Sequence, residues 1–242
     1  MENINIDNLK ILNVLGWGAY GIVYNCKYKN RVYAFKEFRD PNKIFTSRFK
    51  HKINSISEFN INKSIVPEKM VLNSDETPLG YLTKRTEKFE FHDLSSLNKK
   101  IECLQNIKQS ILELHEIGVI HTDIHSGNFL KYGSKFYLCD FDNCAFNSYR
   151  PLLRNCSEAA YTFIKEFGLI EEIDVYLLNL LTFAVINNVR YDMVEYNVFN
   201  NEYGNFDNND ARSICDSLLL ESTKANDQFL LDNIDIKKLR KR

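Results

Sequence analysis

The sequence predicts an α+β fold in which a small antiparallel β-sheet lobe with one helix precedes a larger, mainly helical lobe. The chain has 242 residues, enough for one large domain or two small lobes, and we predict a single domain over 1–242. Strand-like runs dominate over about 1–84 and helical spacing over about 92–242, with a hinge at about 85–91. Hydrophobic residues make up 44% and charged residues 26%, which excludes disordered and fibrous classes.

The small lobe is predicted from runs rich in β-branched and aromatic residues. A polar turn at 29–31 separates two of these runs, and a turn-rich segment at 73–78 separates two others. Such connections are typical of antiparallel hairpins. The five predicted strands are 9–15, 22–28, 32–38, 69–73 and 79–83.

Helical spacing predicts the remaining elements. Apolar residues recur every three or four positions in 41–62, which predicts the helix of the small lobe. In the large lobe, the same spacing predicts a helix that Gly118 ends. Segment 174–186 is nearly all apolar and predicts a buried helix with Asp174 near its N-terminus, and 209–220 predicts a later helix. Only about 55 residues follow the buried helix, so the large lobe is predicted to be abbreviated at its C-terminus.

Charge, cysteine content and hydropathy predict the cellular setting. The 31 basic and 32 acidic residues give a net charge of −1, which neither requires nor excludes a polyanionic partner. No nucleic-acid partner is expected. Six cysteines without a C-x-x-C pair predict free thiols in a reducing cytoplasm. The most apolar run, 175–186, is shorter than the roughly 18 residues of a membrane span, and no signal peptide is recognisable. We therefore expect a cytoplasmic protein without a membrane span, and the sequence carries no signal for its oligomeric state.

A glycine-rich pattern, G-x-G-x-x-G-x-V, begins at Gly16 and ends at Val23. Glycines allow backbone N–H groups to approach phosphate oxygens closely. A dinucleotide-binding turn of similar sequence opens a helix, whereas a predicted strand follows here, which favours a flap over phosphates. A plain hairpin turn is the alternative for this motif taken alone.

The third predicted strand carries a candidate phosphate-binding lysine. Its period of two places Val32, Ala34 and Lys36 on one face, so that an adenine ring can lie on Ala34 while the ammonium group points the same way. An ordinary exposed strand lysine is the alternative. An inward lysine needs a counter-ion, and Glu58 on the following predicted helix is the candidate.

The most informative motifs lie in the large lobe. His121, Asp123 and Asn128 form the pattern H-x-D-x-x-x-x-N, and D-F-x follows at Asp140 after a short predicted hairpin. Acceptor side chains in loops between short strands suit a Mg-nucleotide site. The two motifs resemble the catalytic core of the protein-kinase superfamily. The resemblance spans roughly residues 9–186 and implies a bilobal protein-kinase-like fold.

The resemblance also implies a cofactor and residue roles. The cofactor would be ATP with Mg²⁺, and Mn²⁺ is an alternative ion. Asp123 would orient the acceptor hydroxyl, Asn128 and Asp140 would bind the metal, and Lys36, paired with Glu58, would hold the phosphates. The positions implied to contact the nucleotide are Gly16, Gly18, Tyr20, Gly21, Val23, Ala34, Lys36 and Thr83.

Three residues depart from the kinase pattern. Thr122 replaces the usual arginine before the catalytic aspartate, so activation by a phosphorylated loop is not expected. His125, counted among the catalytic residues, stands where a lysine is usual, and the sequence of residues 121–128 resembles that of aminoglycoside and choline phosphotransferases. Asp142 replaces the glycine of D-F-G, so it either restrains the loop or disturbs metal binding.

The acceptor is the least determined part of the prediction. The complete glycine-rich loop looks closer to protein kinases, which implies an atypical serine/threonine-protein kinase acting on a protein hydroxyl. A small-molecule kinase that phosphorylates another hydroxyl is one alternative, and a nucleotide-binding pseudokinase without turnover is the other.

Overall fold

The computed structural model describes residues 1–18, 20–133, 135–188, 190, 191, 194 and 229–233. The helix predicted at 209–220 lies outside these residues. The described architecture is α+β with a mixed sheet, which is compatible with the predicted bilobal arrangement.

Six strands form the main sheet, in the order β1-β5-β6-β4-β3-β2. They are β1 (Glu2–Asn5), β2 (Leu9–Trp17), β3 (Gly21–Tyr28), β4 (Arg31–Phe38), β5 (Pro67–Leu72) and β6 (Pro78–Lys84). All five predicted strands are confirmed. The purely antiparallel sheet is wrong, because β1 was not predicted and pairs in parallel with β5.

Two helices, not one, follow β4. They are α1 (Pro41–Ile44) and α2 (Ser47–Ile56). The Thr46 side chain accepts the Phe49 N–H, which caps α2 and interrupts the helix predicted at 41–62. Ile53 and Ile56 bury the apolar face of α2 in the main core, as their spacing predicts.

The rest of the described chain is mainly helical. Its elements are β7 (Glu87–Lys88), α3 (Leu97–Glu116), β8 (Val119–Ile120), β9 (Phe129–Tyr132), β10 (Lys135–Leu138), β11 (Ala145–Phe146), α4 (Glu158–Phe167), α5 (Glu172–Asn187) and a short helix, Leu230–Asn233. Gly118 takes a φ of 70° just beyond α3, so its predicted role at the helix end is confirmed. Within the described residues, no helix has the length and apolar character needed to cross a membrane.

A close approach of β4 and β6 requires glycine at position 80. A Cβ there would lie 1.9 Å from the Lys36 carbonyl oxygen and 2.9 Å from Phe35 Cε2. We expect Gly80→Ala to lower the free energy of unfolding by about 2–3 kcal/mol, because the two strands must separate to admit the methyl group. Urea unfolding measures this change. Gly16→Ala is the matched control, since a Cβ at Gly16 meets nothing within 4 Å, and equal losses in the two variants would contradict the prediction.

Candidate active site

One face of the main sheet carries the predicted nucleotide-binding positions. In the strand register, Lys36 of β4 lies opposite Val23 of β3 and Tyr81 of β6, and Ala34 lies opposite Thr83. Residues directly opposite each other point to the same face, as do residues two apart along one strand. Val23, Ala34, Lys36 and Thr83 therefore share a face, and all four are half-buried.

The glycine-rich loop joins β2 to β3. The Gly18 N–H donates to the Gly21 carbonyl at 2.9 Å, which closes the turn. A Cβ on Gly21 would lie 2.0 Å from the Glu37 carbonyl oxygen, so strand packing alone requires this glycine. The Cβ positions of Gly16 and Gly18 meet nothing closer than 4.0 Å, which leaves room beside the loop. The exposed Tyr20 hydroxyl donates to the Arg154 carbonyl at 3.4 Å and connects the loop to the helical part.

Lys36 meets two carboxylates that follow β10. Its Nζ lies 2.5 Å from Asp140 Oδ1 and 2.7 Å from Asp142 Oδ2. Asp140 takes left-handed backbone angles, φ 65° and ψ 61°, at the turn that begins the Phe141–Asn143 segment. The turn thus brings the two carboxylates, 104 and 106 residues along the chain from Lys36, against the same ammonium group.

The charges of this cluster shift each other's pKa. Burial alone would lower the pKa of Lys36, but Asp140 and Asp142 outweigh it and raise the pKa above the usual range. Burial would raise the pKa of Asp140, but the Lys36 ammonium outweighs it and lowers that pKa. The pKa of Asp142 is raised, because burial and the neighbouring Asp140 charge together outweigh Lys36. Lys36 is therefore an ammonium and Asp140 a carboxylate at neutral pH.

The prediction that Glu58 is the counter-ion of Lys36 is wrong. Helix α2 ends at Ile56, so Glu58 lies beyond it and its side chain is exposed. The side chain of α2 that contacts this segment is a cation, because Lys52 Nζ donates to the Asp142 carbonyl at 2.5 Å. The Tyr81 hydroxyl donates to Asp142 Oδ1 at 2.6 Å. Sequence reasoning missed Lys52 and Tyr81, although the lack of any acidic residue in 41–56 is visible in the sequence and points away from a helix carboxylate.

The segment between β8 and β9 holds the predicted catalytic aspartate. Asn128 Nδ2 donates to the Asp123 carbonyl at 2.9 Å and to Asp123 Oδ2 at 2.8 Å. His125 Nε2 lies 3.6 Å from Asp123 Oδ1, and His125 Nδ1 accepts the Gly127 N–H at 3.1 Å. The Asp123 carboxylate is thus held between two side chains and keeps partial exposure, at 22%.

Asp174 of α5 supports this loop from within the core. It is fully buried, and its two oxygens accept the backbone N–H groups of His121 and Thr122 at 2.7 Å each. His115 Nε2 lies 3.0 Å from the same carboxylate. Two roles suit an aspartate at this place, capping of α5 and support of the loop. Because both oxygens of Asp174 accept loop N–H groups, the geometry assigns loop support. Thr122 takes a φ of 66°, a strained value for a β-branched residue, so the carboxylate holds the backbone in an unusual conformation.

The donor atoms suit a metal bound together with phosphates. Among the described residues, no three His, Cys, Asp or Glu side chains gather into a metal site. Asp140 Oδ2 and Asn128 Oδ1 make no hydrogen bond to any described residue. The Cys139 N–H donates to the Asn128 carbonyl at 3.0 Å, so the segments carrying Asn128 and Asp140 are adjacent. Two oxygen donors from protein, with the rest from phosphate and water, is the usual pattern for Mg²⁺.

Comparison with known proteins gives one distant similarity. No protein-family model matches the chain. The chain is 26% identical over 204 residues to a protein of Acanthamoeba polyphaga mimivirus named "Putative serine/threonine-protein kinase/receptor R826". The match covers 76% of this chain and 12% of the relative, so the chain spans about an eighth of that protein's length. This similarity supports a kinase-like relationship.

Proposed function

We propose that this protein is an ATP-dependent phosphotransferase that transfers the γ-phosphate of Mg-ATP to a hydroxyl group. One observation carries the proposal. Lys36 from the sheet and Asp140 from the helical part meet at 2.5 Å, on the sheet face that carries Val23, Ala34 and Thr83. A cation and a metal-binding carboxylate at one edge of an apolar face are the two charges that a Mg-nucleotide requires.

The residues then divide the tasks of nucleotide binding, metal binding and proton transfer. When bound, ATP supplies the transferable phosphoryl group and Mg²⁺ neutralises its charge. Ala34 and Val23 offer the apolar surface for the base, and the Lys36 ammonium binds phosphate oxygens. Asp140 Oδ2 and Asn128 Oδ1 are the available oxygen ligands for the metal. Asp123, held by the Asn128 amide at 2.8 Å, accepts the proton of the acceptor hydroxyl.

The acceptor that we propose is a serine or threonine hydroxyl of a protein. The name of the mimivirus relative, a serine/threonine-protein kinase/receptor, favours this class. The position of the loop tip also favours a protein acceptor. The Tyr20 hydroxyl bonds to the Arg154 carbonyl, so the loop reaches the helical part as well as the sheet. A peptide acceptor extends beyond the reacting hydroxyl and needs surface on both sides of it.

Labelled ATP tests the proposal. Purified protein is incubated with γ-labelled ATP, Mg²⁺ or Mn²⁺ and generic protein substrates, and both ADP release and protein labelling are followed. We expect labelling by the wild-type chain and a loss of about 100-fold or more in Asp140→Asn, because the neutral amide holds the metal and Lys36 poorly. Asp7→Asn, which removes a carboxylate from an exposed turn outside the site, is the matched control.

Two results would replace the proposal. An ATP-induced rise in melting temperature without ADP release under either metal means a nucleotide-binding protein without turnover. ADP release that depends on an added small hydroxyl compound, and leaves proteins unlabelled, means a small-molecule kinase.

A further inference from the structure

The carboxylate of Asp142 is fully engaged by protein groups. Its Oδ1 accepts the Tyr81 hydroxyl at 2.6 Å and its Oδ2 lies 2.7 Å from Lys36 Nζ. Its side chain is 16% exposed, against 38% for Asp140. Asp140 uses only Oδ1 for Lys36 and leaves Oδ2 without a described partner. The two carboxylates beside Lys36 therefore differ in what they can still bind.

Helix α2 offers Lys36 no anion. The segment 41–56, which contains α1 and α2, has no acidic residue. Its inward polar group is Lys52, a buried side chain whose Nζ donates to the Asp142 carbonyl at 2.5 Å. Asp142 is thus held at its carboxylate by Tyr81 of β6 and at its backbone by Lys52 of α2. These two contacts fix the position of Asp142, the carboxylate beside Lys36 to which the proposed function assigns no metal.

We propose that Asp142 is the positioning residue of Lys36: it supplies the fixed counter-ion that aims the ammonium at the phosphates, while Asp140 keeps its Oδ2 for the metal. The inference deepens the proposed phosphotransfer and rests on it. The loop after β10 therefore provides the anion for Lys36, and α2 provides a cation, Lys52, that bonds to the same loop. This bond holds α2 against the Phe141–Asn143 segment.

The competing role for Asp142 is that of a further metal ligand. For that role at least one of its oxygens would have to give up or share its present partner, and the Tyr81 hydroxyl or the Lys36 ammonium would lose part of its interaction with a buried acceptor. Asp140 needs no such exchange. The geometry therefore separates the roles of the two aspartates by which oxygens are already taken.

The first experiment tests the ion pair without requiring turnover. Asp142→Asn is made in the wild-type chain and in Lys36→Met, and thermal unfolding of all four proteins is compared. We expect Asp142→Asn to lower the melting temperature about twice as much in the wild-type chain as in Lys36→Met, because only the former loses a buried pair. Asp7→Asn in both backgrounds is the control. Equal shifts from Asp142→Asn in the two backgrounds would overturn the proposal.

The second experiment asks whether the pair serves the reaction. In Asp142→Asn we expect kcat to fall about tenfold or more, with KM for ATP within about threefold of wild type and an unchanged Mg²⁺ requirement. Tyr81→Phe removes only the hydrogen bond to Asp142 Oδ1 and should lower kcat about threefold. This variant replaces Asp142→Asn in the test if Asp142→Asn folds poorly.

The outcomes separate the two proposals. An unchanged kcat in both variants, or a raised Mg²⁺ requirement in Asp142→Asn, would refute the positioning role. If the wild-type chain shows no turnover, the proposed function fails, and the unfolding comparison alone decides whether Asp142 holds Lys36.

Discussion

Asp123→Asn is expected to lower kcat by about 10²–10⁴ while the protein remains folded. The Asp123 carboxylate receives the Asn128 amide on Oδ2 and faces His125 at 3.6 Å from Oδ1, so its orientation is fixed before any substrate arrives. Asparagine has the same shape, but its side chain cannot take up the proton of the substrate hydroxyl. Its NH₂ group also cannot accept a hydrogen bond. Steady-state turnover with labelled ATP measures the loss, and thermal unfolding verifies the fold.

Asp7→Asn is again the matched control, because it removes one carboxylate from an exposed turn that lies outside the site motifs. We expect its kcat to equal that of the wild type. Turnover of Asp123→Asn within about threefold of this control would contradict the role of Asp123 as proton acceptor. A large loss that coincides with unfolding would instead assign Asp123 to the support of the loop.

Local patterns predicted most elements of the fold. Strand β4 and helix α5 follow from runs whose period and length are visible within 8 to 16 neighbouring residues. Strand β1 could not be predicted in this way, because Glu2–Asn5 has only Ile4 buried and gains its place by pairing with β5, more than 60 residues away. The break between α1 and α2 had a local signal, since Thr46 is a good N-cap residue followed by a helical run.

The candidate site was predictable where it depends on short-range motifs. Asp123 and Asn128 lie only five residues apart, so the motif itself indicates that the two side chains are neighbours. The partner of Lys36 depends on where α2 ends and on a turn 104 residues along the chain, and neither is fixed by local sequence. Asp142 stood out as a carboxylate in place of glycine, but only the geometry assigns its two oxygens to Tyr81 and Lys36.

The loop support by Asp174 leads to the largest expected change in stability. Asp174→Asn replaces one acceptor oxygen with an NH₂ group that faces a buried backbone N–H of His121 or Thr122, so one donor loses its partner and meets another donor. We expect the free energy of unfolding to fall by about 3 kcal/mol, because a buried N–H is left unsatisfied and a charge-assisted bond is lost. Urea unfolding measures the change.

Glu172→Gln is the matched control for Asp174→Asn, because both residues lie in the first turn of α5 and both changes remove one negative charge from it. A favourable charge at the N-terminus of α5 alone would make the two losses similar and at most about 1 kcal/mol. Loop support predicts a loss several times larger in Asp174→Asn. It also predicts a fall in turnover, because Thr122 can then leave its φ of 66° and carry Asp123, the next residue, out of position. Similar losses of stability in Asp174→Asn and Glu172→Gln would contradict loop support and assign Asp174 only to the stabilisation of the N-terminus of α5.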